Sequence, residues 1–126
     1  MNGIDFLADT NALIYLLNGN SCMSPYLEKT LAVSVISEME LLSYSGISKK
    51  DEENIKALFN DCTELPISNE IKEKTIEIRK KYKTKLPDAI VAASAIVYDI
   101  PLITADKGFR QITELKLEFI TPAENI

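Results

Sequence analysis

The amino-acid sequence predicts a single α/β domain built around a mainly parallel β-sheet. The chain has 126 residues, which is the size of one ordinary domain. Its residues are 46% apolar and 26% charged, as in globular proteins. Short apolar runs alternate with longer stretches of helical periodicity along the chain. Strands separated by helices indicate an α/β domain with a parallel sheet.

The first part of the chain shows two apolar runs, each followed by helical periodicity. Leu13, Leu16 and Leu17 share one face of a helix. Ser24 followed by Pro25 is typical of an N-cap and a first helical residue. The predicted elements are a strand at 4–8, a helix at 11–17, a short helix from Ser24 and Pro25 to about Leu31, a strand at 32–35 and a helix at 37–44.

The second part adds three helices and up to three strands. Ser48 begins a capping box, and Ser68 caps a long amphipathic helix. Pro66 places a short strand at the edge of the sheet, and Pro87 marks the first position of a helix that is apolar nearly all round. The predicted strands are 64–67, 101–104 and 117–120, which makes four to five strands in all.

The composition excludes several classes of catalytic site. Histidine is absent, so no histidine can act as a general base or ligate zinc. The four glycines form neither G-x-G nor the G-x-x-x-x-G-K-[ST] pattern of a phosphate-binding loop. The residues that remain for chemistry are mostly carboxylates.

Cysteine spacing and hydropathy predict a cytoplasmic protein. Cys22 and Cys62 form no C-x-x-C motif and suggest a reducing compartment. The first five residues have neither the basic nor the apolar region of a secretion signal. The longest apolar stretch, 89–98, is interrupted by Ser94 and is too short to span a bilayer, so no membrane association is expected.

The net charge of −5 and the pI of about 4.8 argue at face value against a nucleic-acid partner. That objection depends on where the nineteen acids lie. Most have ordinary explanations. Glu70 with Lys74, and Glu77 with Lys81, are spaced as solvated i, i+4 helix pairs.

Four acids are placed differently. Asp9 directly follows the first strand, Glu40 lies just after the second, and Asp106 follows the strand that ends at Thr104. Asp88 opens the buried helix. Taken one at a time, each has an ordinary role as a helix cap, an exposed helix residue, a partner of the helix dipole or a turn residue.

Taken together, these four acids predict a shared site, because all can reach the same rim of a parallel sheet. Two carboxylates about 4 Å apart repel by roughly 4 kcal/mol at an effective dielectric constant near 20. Raised pKa values, basic partners or a divalent metal would relieve that repulsion. Without histidine, an all-oxygen site suits Mg²⁺ or Mn²⁺, ions that support phosphoryl chemistry.

Once the four acids are assigned to a site, the rest of the surface is nearly neutral, and a basic run stands out. It leads directly into Asp88 and contains no acid. Such a run is either a solvated face or a strip that contacts phosphates. The candidate substrate-binding residues are Arg79, Lys80, Lys81, Lys83, Lys85 and Lys107, with Arg110 as an addition.

With these residues in place, the chain resembles the PIN-domain ribonucleases, and specifically the VapC-type toxins of bacterial toxin-antitoxin pairs. The resemblance covers essentially the whole chain, so one domain over 1–126 is expected. Each motif is short, but four occur in order at family-like spacing. They are LADTN at 7–11, SVISEMELL at 34–42, LPDAIVAASA at 86–95 and LITADKGF at 102–109.

The resemblance implies a three-layer α/β/α fold and an endoribonuclease that cleaves single-stranded RNA with Mg²⁺ or Mn²⁺. It maps the catalytic metal ligands onto Asp9, Glu40, Asp88 and Asp106. It gives Thr104 the role of binding water or orienting a carboxylate, and Asn11 that of a supporting partner of Asp9. Glu40 is preferred to Glu38 because the family's glutamate precedes a leucine pair.

The resemblance also implies partners. It predicts a homodimer and a cognate VapB-like antitoxin whose C-terminal segment covers the site, with operator DNA bound only through the antitoxin. Ala105 departs from the family, where many relatives carry a polar or basic residue. This departure concerns substrate contacts rather than metal binding.

Two other functions stay open at this point. A phosphoaspartyl protein, either a receiver or a haloacid-dehalogenase-like phosphatase, would use Asp9 after a strand, but the D-x-D pattern and an acidic neighbour are missing. A PIN-like interaction module without catalytic activity would keep the scaffold alone. The acids at all four positions argue against such a module.

Overall fold

The computed structural model describes residues 3–124. Met1 and Asn2, and both ends of the predicted 1–126 domain, lie outside that range. The strands are β1 (Phe6–Ala8), β2 (Leu31–Ser34), β3 (Thr63–Leu65), β4 (Leu102–Thr104) and β5 (Leu117–Phe119). The α-helices are α1 (Thr10–Leu17), α2 (Val35–Leu42), α3 (Lys49–Asn60), α4 (Asn69–Lys81) and α5 (Leu86–Tyr98). Two 3₁₀ helices span Ser21–Tyr26 and Lys107–Gln111.

The five strands form one sheet in the order β3-β2-β1-β4-β5, and every neighbouring pair is parallel. The prediction of a mainly parallel sheet of four to five strands is confirmed. β3 lies at one edge, as Pro66 directly after it predicts, because proline cannot donate to a ladder.

Helices cover both faces of the sheet, which confirms the three-layer architecture. Successive strand residues point to opposite faces. Leu7 accordingly belongs to a core formed with α4 and α5, whereas Ala8 belongs to a second core formed with α1 and α3. Leu102 and Ile103 alternate in the same way. With both faces covered, the central strands are apolar throughout.

Most of the α-helices begin directly after a residue whose side chain accepts a hydrogen bond from the first turn. Ser48 accepts a hydrogen bond from the Asp51 amide, and Ser68 accepts one from the Ile71 amide, as predicted. Ser34 caps α2 through the Ile36 amide, so β2 ends one residue before the predicted strand end at 35, and α2 begins two residues before the predicted helix start at 37. α5 begins at Leu86, which makes Pro87 its second residue rather than its first.

The predicted helix from Ser24 to about Leu31 is wrong. The segment forms the 3₁₀ helix Ser21–Tyr26, which Asn20 caps through the Cys22 amide, and Leu31 already belongs to β2. Residues at i and i+3 eclipse in a 3₁₀ helix. Met23 and Tyr26 therefore both reach the core, and the segment stays short.

The longest helices, α4 and α5, have 13 residues each. Within residues 3–124, no helix combines the length and the apolar character that crossing a membrane requires.

Candidate active site at the carboxyl edge of the sheet

The neighbouring strands β1 and β4 bring Asp9 and Thr104 into contact. Asp9 directly follows β1 and caps α1 by accepting from the Ala12 amide at 2.8 Å. Thr104, the last residue of β4, is fully buried and donates its hydroxyl to the other Asp9 carboxylate oxygen at 2.5 Å. The same hydroxyl oxygen accepts from the Asp106 amide at 3.0 Å. Thr104 therefore holds Asp9 and the backbone of Asp106 in one arrangement.

Glu40 reaches this edge from α2 through Thr10. The Thr10 hydroxyl donates to Glu40 Oε1 at 2.8 Å and lies 2.8 Å from Ser37 Oγ. A hydroxyl has one proton. Since that proton goes to the carboxylate, Ser37 must donate to Thr10. The chain Ser37–Thr10–Glu40 thus ties the start of α1 to α2.

Asp88 lies half-buried in the first turn of α5. Burial raises the pKa of its carboxyl, and the charges of Asp106 and Glu40 raise it further, while Lys85 lowers it. Asp88 is therefore in electrostatic range of two other candidate acids. Each arrives from a different element of the fold.

Asp9 is buried, and burial is the main reason that its pKa is raised above the ordinary value. The hydrogen bonds from Thr104 and the Ala12 amide act in the opposite direction, and the charges of Asp106 and Asp88 raise the pKa further. Hydrogen bonding thus favours the ionised form that desolvation and neighbouring acids disfavour.

The structure therefore brings Asp9, Glu40, Asp88 and Asp106 to one edge, where they repel one another. Among residues 3–124, no three acidic or thiol side chains are gathered closely enough to hold a metal ion by themselves. Mg²⁺ does not need such a cage, because it is usually bound by one or two carboxylates and keeps several waters. An oxygen donor set with unrelieved repulsion fits a hard divalent cation.

The role of Asn11 as a supporting partner of Asp9 stays a prediction. The Asn11 side chain is exposed on α1, and the Asp9 carboxylate is bonded to Thr104 and the Ala12 amide. Sequence reasoning missed Thr10, which orients Glu40. A hydroxyl directly after an acid that caps a helix is the signal that would have identified it.

The predicted basic residues separate into different environments. Lys83 and Lys85 line a cavity of about 210 Å³ together with Asp88 and Asp106. The other four do not line this cavity. Arg79 donates to the Thr84 carbonyl at 3.3 Å, the Lys81 ammonium lies 5.4 Å from the Tyr82 ring centre, and Lys80 and Lys107 are exposed.

A larger and more apolar groove of about 420 Å³ lies beside Glu40. α1, α2 and α3 form it, with Ile14, Leu41 and Ile55 among its lining side chains. Thr10 and Glu40 also line this groove, so it shares Glu40 with the acidic edge.

A match to a family model shows which protein family the chain belongs to. The family model of the PIN domain matches residues 6–115, a range that contains all four acids. The chain belongs to the PIN domain family. PIN domains are nucleases, so membership of the family supports a hydrolase that acts on nucleic acid rather than the phosphoaspartyl protein considered above.

Solved structures show the same PIN fold. A chain of the toxin-antitoxin complex from Klebsiella pneumoniae is 32% identical, with 96% of this chain and 100% of that chain covered and a TM-score of 0.77. VapBC2 from Rickettsia felis, bound to a DNA fragment from their promoter, matches with a TM-score of 0.82 at 20% identity, covering 94% and 100%. VapBC-1 from nontypeable Haemophilus influenzae matches with a TM-score of 0.80 at 22% identity, and the match covers 92% of this chain and 98% of that chain. No curated protein matches this chain in sequence.

Proposed function

We propose that this PIN domain is an endoribonuclease that cleaves single-stranded RNA with Mg²⁺ or Mn²⁺, and that it acts in the cytoplasm as the toxin of a toxin-antitoxin pair. The observation that supports the activity most directly is the meeting of Asp9, Glu40, Asp88 and Asp106 at the carboxyl edge of the sheet. In open α/β sheets, ligands bind at this edge.

In this proposal the acids hold the cation, and hydroxyl groups hold the acids. Thr104 orients Asp9, and Thr10 orients Glu40. When bound, the divalent ion orients the phosphate, lowers the pKa of a water and neutralises charge on the leaving oxygen. The basic strip before Asp88, with Lys107, contacts the RNA backbone, and the cleaved strand ends in a 5′-phosphate and a 3′-hydroxyl. Asn11 stays a predicted supporting residue.

The toxin role is supported by the likeness to a chain of the Klebsiella pneumoniae toxin-antitoxin complex. The groove formed by α1, α2 and α3 offers an apolar surface beside Glu40 for the C-terminal segment of a VapB-like antitoxin. We also propose a homodimer. With a net charge of −5, this chain is expected to reach operator DNA only through the antitoxin.

The test is cleavage of a single-stranded RNA by the purified chain and by Asp9→Asn, with Mg²⁺ or Mn²⁺ and with a chelator. Asp9→Asn is expected to fold normally and to lose metal-dependent cleavage. Asp99→Asn is the matched control, because it makes the same chemical change at an exposed residue outside the acidic edge, in a left-handed conformation that asparagine tolerates.

If Asp9→Asn cleaves RNA at the wild-type rate in the presence of metal, the site assignment is wrong. If the wild-type chain binds Mn²⁺ but cleaves no RNA, the chain is the PIN-like interaction module without catalytic activity.

A further inference from the structure

The cavity of about 210 Å³ is lined by side chains of both charges. Asp88 and Asp106 come from the acidic edge, and Lys83 and Lys85 come from the loop between α4 and α5. Since the proposed chemistry takes place at the acids, a group that enters this cavity lies directly beside the bond that is cleaved.

Three hydrogen bonds hold the backbone of the lysine loop. Gln111 donates its side-chain amide to the Lys83 carbonyl at 3.1 Å, from a position 28 residues away in sequence. Arg79 donates to the Thr84 carbonyl at 3.3 Å, and the Lys85 carbonyl accepts from the Ala89 amide at 2.9 Å as the helix begins. The two lysines therefore project from a fixed backbone.

The two lysine ammonium groups are available to an anion. Both side chains are exposed, and neither forms a salt bridge with a carboxylate among residues 3–124. The Thr84 hydroxyl, between them in sequence, is buried and has no hydrogen-bond partner within the described part of the chain. The two lysines therefore offer positive charge to a molecule that carboxylates alone would repel.

We infer that Lys83 and Lys85 form a subsite for one backbone phosphate of the RNA, adjacent to the scissile phosphate, and that Gln111 is its positioning residue. This inference rests on the proposed ribonuclease function. It gives different roles to residues of the basic strip. Lys83 and Lys85 contact the substrate beside the acids, whereas Arg79 holds the backbone of the loop. Phosphate contacts fix the register of the strand rather than read its sequence.

The experiment measures binding and cleavage separately. A fluorescent single-stranded RNA is titrated, without divalent metal, into Asp9→Asn protein that carries in addition Lys83→Gln, Lys85→Gln or Lys72→Gln. Lys72 is the matched control because it is exposed on α4 and does not line the cavity. Lys83→Gln and Lys85→Gln are expected to weaken binding and to reduce the salt dependence, the slope of log K against log salt concentration, by about 0.7 each. Lys72→Gln should change neither.

Gln111→Leu tests the positioning role. It should raise KM for RNA while leaving kcat nearly unchanged, and it should lose the same salt dependence as Lys83→Gln. Because it acts through Lys83, the double variant should bind no more weakly than Lys83→Gln alone. A purely structural role would instead give additive losses.

Each remaining outcome decides between the subsite and the proposed function. Equal binding by the Lys83→Gln, Lys85→Gln and Lys72→Gln proteins, with normal cleavage by the wild-type chain, would overturn the subsite and leave the ribonuclease proposal intact. Lysine-dependent RNA binding without cleavage by the wild-type chain would support the subsite and overturn the ribonuclease. Displacement of RNA by inorganic phosphate at matched ionic strength, in a lysine-dependent manner, would assign a free-anion site instead.

Discussion

The hydroxyl of Thr104 donates to the carboxylate of Asp9 across 95 residues of sequence. This hydrogen bond joins the ends of β4 and β1, and it favours the ionised form of an acid whose burial favours the neutral form. A buried carboxylate with a fixed donor keeps one orientation. The position of Asp9 is therefore held by two neighbouring strands of the sheet.

Thr104→Val should impair both stability and cleavage. It leaves one Asp9 oxygen and the Asp106 amide without a partner, so we expect the free energy of unfolding to fall by about 1–3 kcal/mol. The lost hydrogen bond also raises the pKa of Asp9 further, which moves the acid limb of the pH–rate profile to higher pH. Urea denaturation and cleavage rates measure both effects. Thr104→Ser keeps the hydroxyl and should retain most of the stability and of the cleavage rate. An unshifted acid limb in Thr104→Val would contradict the role of Thr104 in holding Asp9 ionised.

Asp88→Asn should raise the melting temperature of the metal-free protein at neutral pH. The pKa of Asp88 is raised in the folded state. Its favourable contribution to the stability of the fold is therefore present at low pH and is lost as the pH rises through the folded-state pKa. Its ionised form therefore opposes folding at pH 7. The difference from wild type should shrink as the pH falls toward 3.8.

Asp99→Asn is the control for this pH series, because the pKa of Asp99 is lowered whereas that of Asp88 is raised. Lys116 lowers the pKa of Asp99 through a hydrogen bond and its charge, so neutralising Asp99 should not raise the melting temperature. A stabilising effect of Asp99→Asn equal to that of Asp88→Asn would indicate a general effect of net charge rather than local repulsion.

Mg²⁺ or Mn²⁺ should stabilise the wild-type chain, because a bound cation relieves the repulsion between the acids. At a concentration about 100-fold above the dissociation constant, the expected gain is about 2.7 kcal/mol. Thermal unfolding with MgCl₂, compared with NaCl at equal ionic strength, measures it. Asp9→Asn should lose most of this gain. If that variant is stabilised as much as wild type, the ion binds elsewhere.

Gly108→Ala should reduce cleavage with little loss of stability. The Gly108 amide donates to Asp106 Oδ1 at 2.8 Å, and a Cβ at this position would lie 3.1 Å from that oxygen. The Asp106 side chain must then shift by a few tenths of an ångström. Geometry at a catalytic site tolerates such shifts poorly. Cleavage at the wild-type rate in Gly108→Ala would show that the position of Asp106 is not critical.

Cys62 should react slowly with thiol reagents in the native protein. Burial raises the pKa of its thiol to about 11, so only about one molecule in a thousand carries the reactive thiolate at pH 8. Alkylation of Cys22→Ser with iodoacetamide, compared in buffer and in urea, isolates this thiol. A native rate as fast as the rate in urea would contradict the burial.

The sequence predicted the sheet well because its signals are local. Apolar runs such as 101–104 and serine caps such as Ser68 act over a few residues, and alternation of strands with helices constrains the topology strongly. The same reasoning failed at 24–31, where Ser24 and Pro25 have the chemistry of a helix start. Core contacts of Met23 and Tyr26 decided in favour of a short 3₁₀ helix instead.

The acids could be found from sequence, whereas their supports could not. The four acids stand out because each follows or begins an apolar element, and charged side chains are rare in such places unless they have a partner. They are Asp9, Glu40, Asp88 and Asp106. The contacts of Thr10 with Glu40 and of Gln111 with Lys83 link residues 30 and 28 positions apart. No local pattern marks such pairs.

The sequence by itself determined the element order, the class of the sheet and the identity of the candidate acids, because periodicity, capping and charge placement are properties of neighbouring residues. Only the tertiary structure decided which hydroxyl orients which carboxylate and which lysines face the cavity. Those outcomes depend on how β1, β4, α2 and α5 pack. Side chains distant in sequence meet only after the parallel sheet has brought their strand ends to one edge.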